Sequence, residues 1–134
     1  MTVIIQTPRA RTLFTIAEED QGVLSLPLPD RLFGFCAQQS CEKMFKALLA
    51  AHGQSFPFTH QLFELTAKLE FVCGEKMPVT PFLLADIQAY VVQLRYEDGP
   101  PLSATQRIEI RETVAILRAH ILERILKAEQ AAKP

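Results

Sequence analysis

The chain has 134 residues, a length that fits one folded domain spanning 1–134. Of these residues 49% are hydrophobic and 22% are charged, a composition that excludes a largely disordered protein. Fourteen basic and fifteen acidic side chains give a net charge of −1, which leaves only local patches for binding nucleic acids or anionic membranes. Three cysteines without C-x-x-C spacing argue against a disulfide framework. With no apolar run of membrane-spanning length and no signal peptide, we expect a cytoplasmic protein without a membrane partner.

The first predicted helix runs from about Pro8 to about Leu24. Thr7 is suited to cap it, and proline is favoured at the first helical position. Five residues form its apolar stripe: Leu13, Ile16, Ala17, Val23 and Leu24. Asp20 lies within this stripe, where a carboxylate requires a partner.

The second helix begins after Asp30, a good capping residue, and ends near Gly53. Two adjacent apolar stripes give it the wide apolar face of a helix central to a bundle: Leu32, Cys36, Ser40, Met44, Leu48 and Ala51, and Phe33, Ala37, Cys41, Phe45 and Leu49. The other face carries Gln38, Gln39, Glu42, Lys43 and Lys46. Glu42 and Lys46 are four residues apart, in the favourable order for a helical ion pair.

Three more helices follow, and no segment is a convincing strand. Thr59 can cap the third, and Gly74 can end it. The fourth opens at Thr80 and stops at 98–101. The fifth begins with the capping box of Ser103 to Gln106 and carries a Glu123–Lys127 pair. Short connections between long helices predict an all-α, up-and-down antiparallel bundle of about five helices.

Several segments resemble the HEPN domain family over about residues 11–127. They are AEED at 17–20, FCAQQSCEKMFKALL at 35–49, HG at 52–53, FTHQL at 58–62 and RY at 95–96. Family members usually have a proline after the RY pair, whereas this chain has Glu97. The resemblance implies an antiparallel helical bundle that is often a homodimer. It also implies a nucleotidyltransferase partner protein, in toxin–antitoxin or nucleotide-handling pairs.

Other members of that family are metal-independent ribonucleases with an arginine, four to six intervening residues and a histidine. None of His52, His60 and His120 has an arginine at that separation before it. The ribonuclease signature is therefore absent. A degenerate ribonuclease remains as an alternative, with His120 acting beside Arg118 or Arg124 across a dimer.

One polar cluster is predicted if the first, second and fourth helices abut. Asp20, Gln39, Lys43, Arg95 and Tyr96 would supply cations, amides and an aromatic face suited to a nucleotide or RNA. The same residues could instead form an intrachain ion-pair network that fixes helix register. No Walker loop, dinucleotide fingerprint or zinc-ligand spacing is present, so we expect no cofactor and no metal. The sequence thus favours a non-catalytic binding module.

Overall fold

The structure, a computed structural model, describes residues 4–56, 58–90 and 101–133. Within these ranges the chain forms five α-helices and no β-strand: α1 (Pro8–Gly22), α2 (Asp30–Ala51), α3 (Leu62–Cys73), α4 (Pro81–Gln88) and α5 (Ala104–Ala131). A short 3-10 turn, Val23–Ser25, follows α1. The predicted all-helical bundle is confirmed.

Two helix starts follow their sequence signals closely. The Thr80 hydroxyl accepts a hydrogen bond from the Leu83 amide at 3.2 Å, which caps α4. Ser103 and Gln106 form the reciprocal capping box at the start of α5. Local sequence is sufficient at these two ends because no other element competes for the capping side chains.

Two other predicted N-terminal caps do not form, because tertiary partners take the side chains. The Thr7 hydroxyl donates to the carboxylate of Glu129 at the far end of α5, 2.7 Å away. The Asp30 carboxylate accepts hydrogen bonds from the Leu102 amide at 3.1 Å and from Arg107 at 2.7 Å. These contacts join the end of α5 to Thr7, just before α1, and the start of α5 to Asp30, the first residue of α2.

The buried face of α1 agrees with the predicted stripe only in part. Ala17 is buried as predicted, and so is Leu24 in the turn that follows; Ala10 and Phe14 are also buried, whereas Ile16 remains 37% exposed. The Ser40 hydroxyl of α2 donates to the Ala17 carbonyl at 2.8 Å, so the approach of α2 selects the face of α1 that is covered. The prediction placed the stripe too far round the helix because no apolar periodicity in α1 is strong enough to define it.

Helix α2 is the centre of the fold and contacts each of the other four helices. Its apolar residues are largely buried, although the predicted stripe residue Leu32 is 40% exposed. Gly34 is the point of closest approach, because a Cβ atom there would lie 2.2 Å from the ring of Tyr90. A glycine is therefore needed at this point of the crossing.

Helices α1 and α5 are antiparallel, because Glu18 contacts Arg118 and Thr7 contacts Glu129 near the end of α5. The connection after α2, in contrast, carries the chain back along that helix before α3 begins. It brings His60 beside Glu42, in the middle of α2.

Candidate functional site

The polar face of α2 is largely covered by the rest of the fold. Gln38 and Glu42 are fully buried and Lys46 is 7% exposed. Buried charges are costly unless they are paired and hydrogen-bonded. The buried Glu42 carboxylate therefore needs charged and hydrogen-bonding partners from the same chain.

Glu42 lies at the centre of a network that satisfies both of its carboxylate oxygens. Oε2 accepts from Lys43 Nζ at 3.1 Å and from Lys46 Nζ at 3.0 Å. Oε1 accepts from Gln38 Nε2 at 3.1 Å and lies 2.9 Å from His60 Nδ1. Burial alone would raise the pKa of Glu42, but the hydrogen bonds from His60, Lys46, Gln38 and Lys43 outweigh it and lower the pKa to about 2. Glu42 is thus an ionised anchor that fixes two ammonium groups and an imidazole.

Gln39 and Lys43 form a more open strip beside this network. At 100° per residue they lie between Glu42 on one side and the helix face that meets α1 on the other. Gln39 Nε2 donates to Gln38 Oε1 at 2.7 Å, and the Lys43 side chain is 23% exposed. Lys43 is consequently the cation of the network with most access to solvent on α2.

Asp20 of α1 borders the same strip. Partial burial raises its pKa, and the nearby positive charge of Lys43 opposes that rise. Three of the five predicted ligand-binding residues, Asp20, Gln39 and Lys43, are therefore neighbours. The other two, Arg95 and Tyr96, lie outside the described residues.

Sequence reasoning missed the roles of His60 and Lys46 in this site. Both were visible only as a histidine at a helix start and as the second half of a helical ion pair. A second contact of Lys46 was also hidden: its ammonium lies 5.6 Å from the centroid of the Phe56 ring, which Arg9 approaches to 4.7 Å. Lys46 therefore shares the Phe56 ring with Arg9 and shares the Glu42 carboxylate with Lys43.

His120 belongs to a separate cluster on α5. Its Nε2 atom lies 3.3 Å from Glu75 Oε1, without the alignment of a good hydrogen bond. Arg124 contacts both oxygens of the same carboxylate and lowers the pKa of Glu75. Arg118 instead binds Glu18, with its Nη2 atom 2.6 Å from the carboxylate. Within one chain, His120 is therefore grouped with Arg124 and not with Arg118.

A cavity of about 350 Å³ lies next to this second cluster and is bordered by His52, Cys73 and Glu75. The Cys73 sulfur lies 3.5 Å from His52 Nε2, but burial raises the pKa of the thiol, and the charge of Glu75 adds to the rise. A thiol that stays protonated is a poor nucleophile. In the part of the chain that the structure describes, no group of three His, Cys, Asp or Glu side chains is arranged to hold a metal ion.

None of the described helices is both long enough and apolar enough to span a bilayer.

Comparison with known proteins gives one result that bears on this site. The family model of the HEPN domain matches residues 31–130, which include all but the first residue of α2 and most of α5. No curated protein and no solved structure matches the chain significantly. The match covers about three quarters of the 134 residues, so the chain belongs to the HEPN domain family.

Proposed function

We propose that this HEPN domain is a non-catalytic module that binds a phosphate-bearing nucleotide or RNA at the strip formed by Asp20, Gln39 and Lys43. In this proposal it acts in the cytoplasm as a homodimer and as the accessory or toxin–antitoxin-type partner of a small nucleotidyltransferase. The observation that carries the binding proposal is the position of Lys43. Its ammonium is held by the buried Glu42 carboxylate and is still partly open to solvent.

A cation held in this way suits a phosphate ligand. The Glu42 carboxylate fixes the ammonium in one place, so less side-chain entropy is lost when a ligand binds. Lys46 also contacts the Glu42 carboxylate and approaches the Phe56 ring beside Arg9. Glu42, Asp20 and the neighbouring Glu19 balance the three cations Arg9, Lys43 and Lys46 in formal charge, so the support for phosphate binding is the fixed, partly exposed position of Lys43 and not an excess of positive charge.

Asp20 and Gln39 complement that charge with hydrogen-bonding groups. A carboxylate accepts hydrogen bonds from ribose hydroxyls or base amino groups, and an amide donates or accepts. Partial burial raises the pKa of Asp20, and the charge of Lys43 opposes that rise. Together the three side chains offer separate contacts for a phosphate and for the sugar or base attached to it.

The site is a strip on the surface of a helix, so we expect modest affinity for a free nucleotide. Melting of the purified protein with ATP, GTP, AMP and a short single-stranded RNA, with and without magnesium, tests the proposal. A ligand at about 100 times its Kd adds about 2.7 kcal/mol to the stability of the folded state. The proposal expects at least one of these ligands to raise the melting temperature.

Mutation then locates the site. Lys43→Ala should abolish the ligand-induced shift while the protein still folds. Lys127→Ala is the matched control, because Lys127 is also a helical lysine in an ion pair but is 67% exposed and lies on α5. An unchanged shift in Lys43→Ala would remove the site, and the absence of any shift in the wild type would remove the binding proposal.

The alternative function, a degenerate ribonuclease, depends on His120 and Arg124. Their common approach to Glu75 favours this pair over His120 with Arg118. However, Glu75 already occupies the guanidinium that would have to bind the phosphate. If the alternative holds, the wild type cleaves RNA without metal and His120→Ala does not. Equal cleavage by both proteins would show that another residue or a contaminant is responsible.

The nucleotidyltransferase part of the proposal rests on family membership and on no contact within the chain. It is tested by co-expressing the chain with a small nucleotidyltransferase encoded beside its gene. Co-elution of the two proteins on size exclusion, at a larger size than either alone, is the expected result. Separate elution would restrict the proposal to nucleotide or RNA binding.

A further inference from the structure

A cleft of about 390 Å³ lies between the segment before α1, α1 itself and α5, and it shares no lining residue with the Glu42 network. Small-molecule sites in proteins have volumes of about 300–1,000 Å³ and combine apolar walls with a few polar groups. Four apolar and four polar side chains line this cleft: Ile4, Ile5, Phe14 and Leu122, and Arg11, Thr15, Glu18 and Arg118. The cleft therefore has the size and the mixed lining of a site for a small organic molecule.

Contacts between the three segments hold the cleft in shape. The Gln6 and Thr7 amides donate to the two carboxylate oxygens of Glu129 on α5, at 2.9 and 2.5 Å, which fixes the segment before α1. Nε and Nη2 of Arg118 both donate to Oε2 of Glu18, at 2.9 and 2.6 Å, which joins α5 to α1. Because the segments are already fastened to one another, a ligand does not have to order the walls when it binds.

Arg11 is the cation of the cleft whose charge is not balanced by a neighbour. The Arg118 guanidinium is neutralised by Glu18. Arg11 is exposed and forms no ion pair with any residue in 4–56, 58–90 or 101–133, and its hydrogen bond to those residues is a long one of 3.3 Å to the Ile5 carbonyl. A guanidinium with free N–H groups binds a carboxylate through two parallel hydrogen bonds.

We propose that the cleft binds a small monocarboxylic acid, with its carboxylate on Arg11 and its apolar body against the four apolar side chains of the lining. One unbalanced positive charge fits a monoanion. A phosphate monoester carries up to two negative charges at neutral pH, and the second would have no counter-charge among the lining residues. This site is separate from the strip at Lys43, so the inference does not rest on the proposed function.

Titration of the ¹⁵N-labelled full chain with 3-phenylpropanoate, followed by amide chemical shifts, tests the proposal. Saturable shifts are expected on the amides of 4–6, 11–18 and 118–122. The neutral analogue 3-phenylpropan-1-ol should bind about tenfold more weakly, because it lacks the charge-assisted contact. Acetate, which lacks the apolar body, should give no saturable shift at the same concentrations, and 3-phenylpropyl phosphate should bind no more tightly than the acid.

Two pairs of variants test the charge and the cleft separately. Arg11→Gln should remove the preference for the acid over the alcohol, and Arg31→Gln is its control, because Arg31 is an exposed arginine of α2 that does not line the cleft. Thr15→Trp fills the cleft from an exposed position and should weaken binding of the acid and the alcohol alike. Ile16→Trp, at the next position and outside the lining, should change neither affinity.

Several results would overturn the proposal, each at a different point. Equal affinity of the wild type for the acid and the alcohol, or an unchanged preference in Arg11→Gln, overturns the contact of the carboxylate with Arg11. Tighter binding of the phosphate than of the acid overturns the choice of a monoanion. Unchanged binding by Thr15→Trp, or no saturable shift in the wild type, overturns the cleft as a binding site. None of these results bears on nucleotide binding at Lys43.

Discussion

Two glutamate–lysine pairs of identical spacing lie in very different surroundings. Glu42 and Lys46 are 3.0 Å apart in α2, with side chains 0% and 9% exposed. Glu123 and Lys127 are 3.6 Å apart in α5, and both side chains are more than 60% exposed. In the sequence both pairs read as ordinary helical ion pairs.

The comparison shows that the four-residue spacing brings each glutamate into contact with its lysine, whereas burial by the rest of the fold determines how much that contact contributes to stability. An exposed pair is screened by water and contributes a few tenths of a kcal/mol. The buried Glu42 loses its water, and its ionised state depends on four protein donors, among them His60 from outside the helix. The exposed Glu123–Lys127 pair could therefore be replaced by other surface residues at little cost in stability, whereas the buried Glu42–Lys46 pair could not.

Replacing the carboxylate should give the largest difference in stability between the two pairs. Glu42→Gln should lower the free energy of unfolding by about 3–5 kcal/mol, because it leaves the Lys46 ammonium buried without its counter-charge. Glu123→Gln should lower it by less than about 0.5 kcal/mol. Denaturant unfolding of both variants and the wild type, followed by circular dichroism, measures the two values. Similar values for the two variants would contradict the distinction between a buried anchor and a surface pair.

Acid should break the buried pair within a defined pH range. The folded-state pKa of Glu42 is about 2, below its usual value of 4.5, so its stabilisation is present above pH 4.5 and is lost as the pH falls toward 2. The difference between the two pKa values corresponds to about 3 kcal/mol. The unfolding free energy of the wild type should fall over this range, and that of Glu42→Gln should fall less. Parallel pH profiles for the two proteins would show that other carboxylates cause the loss.

The smallest difference is expected for the lysines. Lys46→Met should cost about 1–2 kcal/mol, because the stem remains packed while Glu42 keeps Lys43, His60 and Gln38 as donors. Lys127→Met should be within a few tenths of a kcal/mol of the wild type. Thermal unfolding at low and high salt checks both, and only the Lys127 variant should show a difference from the wild type that depends on salt. A near-neutral Lys46→Met would mean that the other three donors satisfy Glu42 on their own.

Most of the fold is predictable from the sequence. Pro81 after Thr80 defines the start of α4, and the Ser103–Gln106 capping box with the spacing of Ile110 to Ile125 defines α5; the structure has both helices. The predicted caps Thr7 and Asp30 are wrong because each side chain forms a hydrogen bond with a distant part of the chain instead. The predicted cap Thr59 is wrong for a local reason: α3 begins at Leu62, and the Thr59 hydroxyl contacts the Gln61 amide and the Glu64 carboxylate instead.

The candidate site is only partly predictable. Asp20, Gln39 and Lys43 were identified because a carboxylate in an apolar stripe and a polar helix face both require partners. His60 was not, because short connections suggest that α3 begins near the end of α2. The chain instead returns along α2 before α3 begins, and no residue in that connection carries a signal for its direction.

The most direct test of the account is a chemical-shift titration of the ¹⁵N-labelled protein with AMP. The account predicts saturable shifts that are concentrated on the amides of 38–46 and 58–62, with the amides around Glu75 and Arg124 unchanged. Saturable shifts centred on Glu75, His120 and Arg124 would contradict the account and favour the alternative site. No saturable shift at millimolar AMP would contradict nucleotide binding by this domain on its own.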